Sequence, residues 1–444
     1  MRNKLNLLLL ASLYASSTQA VELNIEQTVQ RAIKNDLWFS SNRDYQQAII
    51  ANAEAAGALP DPKLSMTLAN LPIESLSLSD EGMSQIKVSV SQQLARGDSL
   101  KLKTDKLKTK AKVLKANAKL RALHIRKIVS QLWLDVFYAQ KAIALIEADY
   151  SLFEQVVDIA NASYTSALGK TRQHDVIRAQ LELVQLQDRL VEKKRALAKS
   201  KAKLGHWLIE NRQDLSFNPL ALNDLQVSSV LPEISINHLP QLRKHNFAMD
   251  YILPILAEHP NVKSLSIEHD VAKYDIELAK QAYQPQWGVN ASYGYRAENQ
   301  LGQHRSDLLS VGFSVDLPLF TDNKQDKALK SATLSASAKN TEKLAAIKSM
   351  YADLTAEFAH LKGLASRQNL YQKQLLSQAN QQAEATLAAY TNDDGDFSEV
   401  VRAKIARLNV QLSSLKIDVD LVKSITKVNY LLIAPDDHLN EVKQ

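Results

Sequence analysis

The sequence predicts a mainly α-helical protein with a small β part: two pairs of β-strands, each followed by a long α-helical hairpin. Residues 99–165 contain no proline and no glycine, and their apolar residues recur at helical spacing. The segments IKVSVSQQL at 86–94 and LLSVGFSVDL at 308–317 alternate apolar with small polar residues. This alternation is the period of a strand with one apolar and one polar face.

These features occur twice along the chain. Pro62 corresponds to Pro285 and Val88 to Val311, and 285 minus 62 and 311 minus 88 both give 223. Farther on, YTSALGKTRQHDVIRA at 164–179 resembles YTNDDGDFSEVVRA at 390–403. A period of this length indicates two duplicated halves and not a solenoid, whose units have about 20 to 50 residues.

The elements follow one another in the same order in each half. Residues 1–20 combine Arg2 and Lys4, a leucine-rich run and small residues up to Ala20, which predicts a secretory signal peptide and an exported mature chain. The first repeat, 21–211, is predicted to hold a helix, a β-hairpin at 62–94 and a helical hairpin at 99–209. A proline-rich connector, 212–245, precedes the second repeat, 246–433, with a helix, a β-hairpin at 285–318 and a helical hairpin at 324–432; residues 434–444 form a tail.

Composition excludes several classes of protein. The chain has no cysteine, which excludes disulfides, thiolate metal sites and a lipid-modified N-terminal cysteine. Its ten histidines are scattered, and we predict no catalytic site, no cofactor and no metal site. No run of about 18 apolar residues follows the signal, so we expect no membrane-spanning helix. Residues 101–127 contain eleven Lys or Arg and one acid, which we interpret as a solvated helix surface and not as a nucleic-acid site.

The apolar faces of the four strands could pack on helices or contact lipid. The strands have the length of tilted transmembrane β-strands, and aromatic residues that suit a membrane interface (Trp287, Tyr295 and Phe320) lie near their ends. We therefore predict lipid contact for Leu64, Met66, Val88, Val90, Val289, Val311 and Phe313.

Four strands cannot close a barrel, and an open edge in lipid leaves backbone groups unpaired. Two chains would give eight strands, whose interior side chains nearly fill, whereas three give twelve strands and a lumen. Three chains are the better prediction for a channel.

The signal peptide, the two halves and the turn sequences at 164–179 and 390–403 together resemble the TolC-type outer-membrane efflux channels. The resemblance covers nearly the whole mature chain. It implies a homotrimer with a twelve-stranded barrel in outer-membrane lipid and an α-helical tunnel in the periplasm. The implied partners are a periplasmic adaptor and an inner-membrane pump, expected to be of the RND type. GALPDPKLSMTLANLP at 57–72 looks most like the heavy-metal branch of the family, although the lipidated cysteine that many of its members carry is absent.

The two helical turns are predicted to form the far tip of the tunnel and to contact the adaptor. The predicted docking residues are Leu168, Gly169, Lys170, Asp175, Gly395 and Ser398. The alternative interpretation is that these residues only cap the turns.

The second turn also carries the predicted periplasmic gate. The resemblance implies that acidic residues after this turn form the narrowest ring. The candidate residues are Asp393, Asp394, Asp396, Glu399 and Arg402. Four acids and one arginine give −3 per chain. Arg402 lies where relatives often have a second acid, so it could pair with Glu399 or with an acid of a neighbouring chain; a solvated turn without a gating role is the third interpretation.

The predicted function is a passive exit duct of an efflux system, for heavy-metal cations or for drugs and other small molecules, and not an enzyme. A periplasmic adaptor or coiled-coil scaffold is the alternative, since it would also have a signal peptide and a helical hairpin. The duplication argues against it. A secreted enzyme would need a nucleophile, base and acid that the sequence does not reveal.

Overall fold

The structure is a computed structural model that describes residues 22–165, 172–209, 226–392 and 395–433. It divides into two compact units. The helical unit contains the described residues of Met1–Asp36, Ile125–Ile236 and Phe358–Lys427, and the sheet unit those of Leu37–His124, Asn237–Glu357 and Val428–Gln444. Each unit combines segments of both predicted repeats, so the repeat boundaries remain a prediction.

The sheet unit contains a four-stranded antiparallel sheet and the helices next to it in sequence. The sheet has the order β1-β2-β3-β4, with β1 at Lys63–Ala69, β2 at Gln85–Gln93, β3 at Gln286–Tyr295 and β4 at Leu308–Asp316. The helices that lie entirely within the sheet unit are α2 (Trp38–Ala56), α5 (Leu239–Lys244), α6 (Met249–Ala257) and α7 (Pro260–Gln281). The first part of α3 (Ser99–Thr165) and most of α8 (Gln325–Leu370) also belong to it.

The helical unit is built from long helices. It contains α1 (Ile25–Asn35), the rest of α3, α4 (Gln173–Leu208), α9 (Leu376–Thr391) and most of α10 (Phe397–Leu431). Asn24 caps α1, because its side chain accepts a hydrogen bond from the Gln27 N–H at 2.8 Å. At the other end of α1, Asn35 donates to the Leu208 carbonyl of α4.

Two features differ from the predicted order. Each half has two helices before its strands where the sequence predicts one; α7, for example, starts anew at Pro260, and His259 caps it by accepting from the Asn261 N–H. The second long helix also contains a π-helical turn, Tyr371–Leu375, between α8 and α9. A π turn accommodates one extra residue inside an α-helix, and residue periodicity over 324–390 did not reveal it.

The core of the helical unit lies where α3, α4 and α10 pack together. Its buried side chains include Phe153, Leu186, Phe397 and Leu408. Elsewhere in the helical unit, Trp133 of α3 is fully buried, and its indole N–H donates to the Leu23 carbonyl at 2.9 Å. Burial of a large aromatic ring with its one polar group satisfied is a strong contribution to stability.

Candidate functional site: the two faces of the sheet and the turn at Gly395

The strand register places most apolar residues of the four strands on one face of the sheet, whereas Ala69 and Leu308 lie on the other. Across the sheet, Met66 pairs with Val88, Val88 with Tyr293, and Tyr293 with Leu309. The next row of this apolar face consists of Leu64, Val90, Ala291 and Val311. Because alternate residues of a strand point to opposite faces, this register gives one continuous apolar surface.

All seven residues predicted to contact lipid lie on this apolar face, and all are exposed in the single chain. Phe313 is 76% and Met66 72% exposed. At the end of β4 the apolar surface continues to Phe320, which is 92% exposed. A contiguous apolar surface of this kind is typical of contact with a membrane or with another protein, and lipid contact remains our interpretation.

The opposite face of the sheet, which we call the polar face, carries small and mostly uncharged residues. One row consists of Ser65, Ser89, Ser292 and Ser310. A Cβ at Gly312 would lie 2.5 Å from Asn290 Oδ1 and one at Gly288 would lie 2.5 Å from Ser314 Oγ, so polar side chains of the neighbouring strand occupy the space beside these glycines. The small side chains on the polar face extend only a short way from the sheet. They would leave room for a water-filled lumen.

The sheet has two unpaired edges, β1 and β4, within the part of the chain that the structure describes. Each edge presents backbone N–H and C=O groups that lack partners in the sheet. In lipid such groups must be paired, at a cost of several kcal/mol for each one that is not.

Hydrogen bonds connect the loop between β1 and β2 to the loop between β3 and β4. Arg305 donates to the main-chain carbonyls of Ser79 and Glu81, at 3.1 and 2.9 Å. Arg296 donates to the Gly82 carbonyl at 3.2 Å. The sequence indicated two long polar loops, but these side-chain-to-backbone contacts between segments more than 200 residues apart carry no signal in the sequence.

The turn between α9 and α10 is stabilised by contact between the aromatic rings on its two sides and by a cap at the start of α10. Phe397 is 3% exposed and makes an edge-on contact with Tyr390, with ring centroids 5.4 Å apart. A Cβ on Gly395 would lie 2.8 Å from the Tyr390 backbone nitrogen, so only glycine fits there. Asp396 caps α10 by accepting from the Ser398 N–H at 2.9 Å. This hydrogen bond is the main reason that the pKa of Asp396 lies below its ordinary value of 3.8; the charge of Arg402 contributes.

Two of the predicted docking residues are buried. Asp175 is 6% and Ser398 4% exposed. Asp175 accepts from the Arg172 N–H at the start of α4, and the Ser398 N–H is the group that Asp396 caps. These two residues therefore shape the turns, whereas Gly395 is exposed.

The remaining tip residues divide into those that the structure describes and those that it does not. Leu168, Gly169, Lys170, Asp393 and Asp394 lie outside the described residues. Glu399 and Arg402 are exposed on the first turns of α10.

The structure shows no ion pair between Glu399 and Arg402 among the residues it describes. Pairing of Arg402 with Glu399 or with an acid of a neighbouring chain stays a prediction.

Sequence reasoning missed a buried ion pair below the turn. Asp149 of α3 accepts from Arg407 of α10 at 2.6 Å, and their side chains are 8% and 19% exposed. The second Asp149 oxygen and Arg407 Nε are buried without a hydrogen-bond partner. Burial and the nearby Arg407 charge hold the pKa of Lys404 below its usual value of 10.5. Three charged groups thus lie close together in the core of the helical unit.

Comparison with known proteins shows which fold the chain shares. Residues 253–423 match the family model described as "Outer membrane efflux protein". No curated protein sequence matches the chain. Among solved structures, CusC is similar at a TM-score of 0.70 and 13% identity over 93% of both chains. The CmeC outer membrane channel of Campylobacter jejuni has a TM-score of 0.72 at 12% identity, covering 92% of this chain and 85% of that one. The MtrE outer membrane channel of Neisseria gonorrhoeae has a TM-score of 0.69 at 14% identity, covering 94% and 92%.

The fold is thus that of the TolC-type channels over nearly the whole chain. The model of the outer membrane efflux protein family matches residues 253–423, which lie in the second half of the chain and make up less than half of its 444 residues. None of the described helices combines the length and the apolar character needed to cross a membrane.

Proposed function

We propose that three copies of this chain close one twelve-stranded barrel and act as the exit duct of a tripartite efflux system. The observation that carries the proposal is the sheet with one apolar face, one polar face and two unpaired edges. Pairing β4 of one chain with β1 of the next satisfies both edges, covers the apolar face with lipid and encloses the polar face. Three chains leave a lumen, whereas the interior of an eight-stranded barrel is nearly filled by side chains.

The duct itself is passive in this proposal, and the energy for export comes from an inner-membrane pump, expected to be of the RND type. We propose that a periplasmic adaptor contacts Leu168, Gly169, Lys170 and Gly395, of which the structure describes Gly395 as exposed. Asp175 and Ser398 hold the turns in shape from inside.

Fractionation combined with crosslinking tests the duct and its docking surface. The chain has no cysteine, so Lys170→Cys introduces a single reactive thiol. We expect the protein in the outer membrane with the mass of about three chains, and a crosslink from residue 170 to the adaptor when the pump is assembled. Asp188→Cys, on an exposed part of α4, is the matched control. A soluble periplasmic monomer would instead support the alternative of an adaptor or scaffold, and a trimer without the crosslink would refute the docking surface alone.

We also propose that the second turn forms the periplasmic gate, with Asp393, Asp394, Asp396 and Glu399 as a ring of acids next to Arg402. Three copies of a net charge of −3 attract cations and bind multivalent ones at the mouth. Because the pKa of Asp396 is lowered, its charge persists as the pH falls through 3.8 and is lost only below that value. Multivalent block is therefore expected to survive mild acidification.

Single-channel recording tests the gate. Asp394→Asn with Asp396→Asn and Glu399→Gln should weaken cation selectivity and multivalent block, and Asn at 396 keeps the helix cap. Arg402→Ala should raise conductance if Arg402 latches onto a neighbouring chain. Asp188→Asn removes an exposed acid elsewhere in the helical unit and should change neither property. Unchanged selectivity, block and conductance in all these variants would remove the gate from this turn.

A further inference from the structure

We propose that Lys87, with Lys63, makes the lumen of the barrel prefer anions to cations. This inference rests on the proposed function, since it needs the polar face to line the lumen. It concerns the barrel and is independent of the gate.

The four strands contain three charged residues, and the register places all of them on the polar face. Lys63 pairs with Ser91 and Lys87 with Thr67 in the β1–β2 ladder, and Asp316 pairs with Gln286 in the β3–β4 ladder. Ser91, the β2 partner of Lys63, lies four residues from Lys87 along β2. At about 3.3 Å per residue, the two lysine rows lie about 13 Å apart along the strand.

The negative charge on this face has a partner, and the positive charges do not. Asp316 lies 3.6 Å from Arg96, which follows β2. Among the described residues, no carboxylate lies within ion-pair distance of either lysine. Lys87 lies on β2, between β1 and β3, so the edge strand of a neighbouring chain does not flank it, and its charge faces the lumen.

The surroundings of Lys87 are neutral on every side. Thr67 is opposite it on β1 and Gly294 is opposite it on β3. Gly294 has no side chain, and the Gln85 amide oxygen occupies the position that a Cβ would take. Along β2, the neighbours on the same face are Gln85 and Ser89.

In a trimer this arrangement gives a ring of three lysines at each of the two levels. Rings of lysine or arginine favour anions in pores, and a narrow low-dielectric lumen strengthens the effect. The acids Glu74, Asp80 and Glu81 lie in the loop beyond the strand ends, where they act on the mouth and not on the barrel wall. A divalent cation that leaves the tunnel would therefore meet a repulsive barrel.

A thiol-reactivity experiment tests the inference in the assembled trimer. Ser89→Cys places the only thiol of the chain on the polar face, one row from Lys87. An anionic and a cationic thiosulfonate of similar size are applied from outside, and their reaction rates are compared. We expect the anionic reagent to react faster, and the rate ratio to fall at least about threefold when Lys87→Gln is added, since the ring contributes on the order of one kT or more.

Three further variants make the outcome specific. Lys87→Arg keeps the charge and should keep the ratio, whereas Lys87→Glu should invert it. Glu81→Gln changes a loop acid by one charge unit; if the loop sets the preference, this variant and not Lys87→Gln will move the ratio. An unreactive Ser89→Cys would show that the polar face does not line a lumen, which refutes the proposed function. A reactive thiol whose rate ratio does not respond to Lys87 refutes this inference alone.

Discussion

Val88→Arg is expected to destabilise the membrane-inserted barrel by roughly 2–4 kcal/mol, because it places a guanidinium near the bilayer midplane on the lipid side. Val88 lies in the central strand β2, between Met66 and Tyr293 on the apolar face. The measurement is the free energy of folding into lipid vesicles, or the amount of trimer recovered from the outer membrane.

Ser89→Arg is the matched control, since it is the next residue on the same strand and lies on the polar face. A lumen accommodates the same guanidinium in water, so the loss should be far smaller. Equal losses for Val88→Arg and Ser89→Arg would mean that both faces are buried in protein, and lipid contact would have to be abandoned.

Asp149→Ala is expected to cost about 3 kcal/mol of stability in the helical unit, at the lower end of the range for breaking a buried pair because Arg407 retains some exposure. The substitution leaves the Arg407 guanidinium buried without its counter-charge. Thermal and denaturant unfolding of the purified trimer, followed by the far-UV circular dichroism of the helices, measures this loss.

Two control variants distinguish the cost of leaving Arg407 without its counter-charge from the cost of losing side-chain packing or any ion pair. Asp149→Leu combined with Arg407→Met removes both charges and also the two unpaired polar atoms, so we expect it to be neutral or stabilising. Asp420→Ala breaks an exposed pair with Lys416 on one helix, which is worth only a few tenths of a kcal/mol. A double variant as unstable as Asp149→Ala would show that packing, and not the unpaired charge, causes the loss.

The fold class followed from local patterns, because strand alternation and helical spacing depend on neighbouring residues only. The first long helix, for example, has the bounds Ser99–Thr165 that the absence of proline and glycine suggested. The turn at Gly395 was visible for the same reason, since glycine and a following acid mark a reversal and a new helix.

What the sequence did not reveal depends on contacts between distant segments. The pairing of β2 with β3, as in Val88 with Tyr293, joins strands that no local pattern connects. Asp149 and Arg407 are 258 residues apart, and each looks like an ordinary surface charge until α3 and α10 pack together. Asp175 and Ser398, both expected at the docking surface, are buried at the starts of α4 and α10, and no pattern of neighbouring residues predicted that burial.

The π turn at Tyr371–Leu375 has a consequence for how the two halves have diverged. The stretch Gln325–Thr391 and helix α3 have the same length, 67 residues, yet one of them includes a widened turn. An inserted residue in a plain α-helix would rotate every later side chain by about 100°, and a π turn absorbs that rotation locally. The duplicated halves could therefore gain or lose single residues in this turn while their packing faces on both sides were preserved.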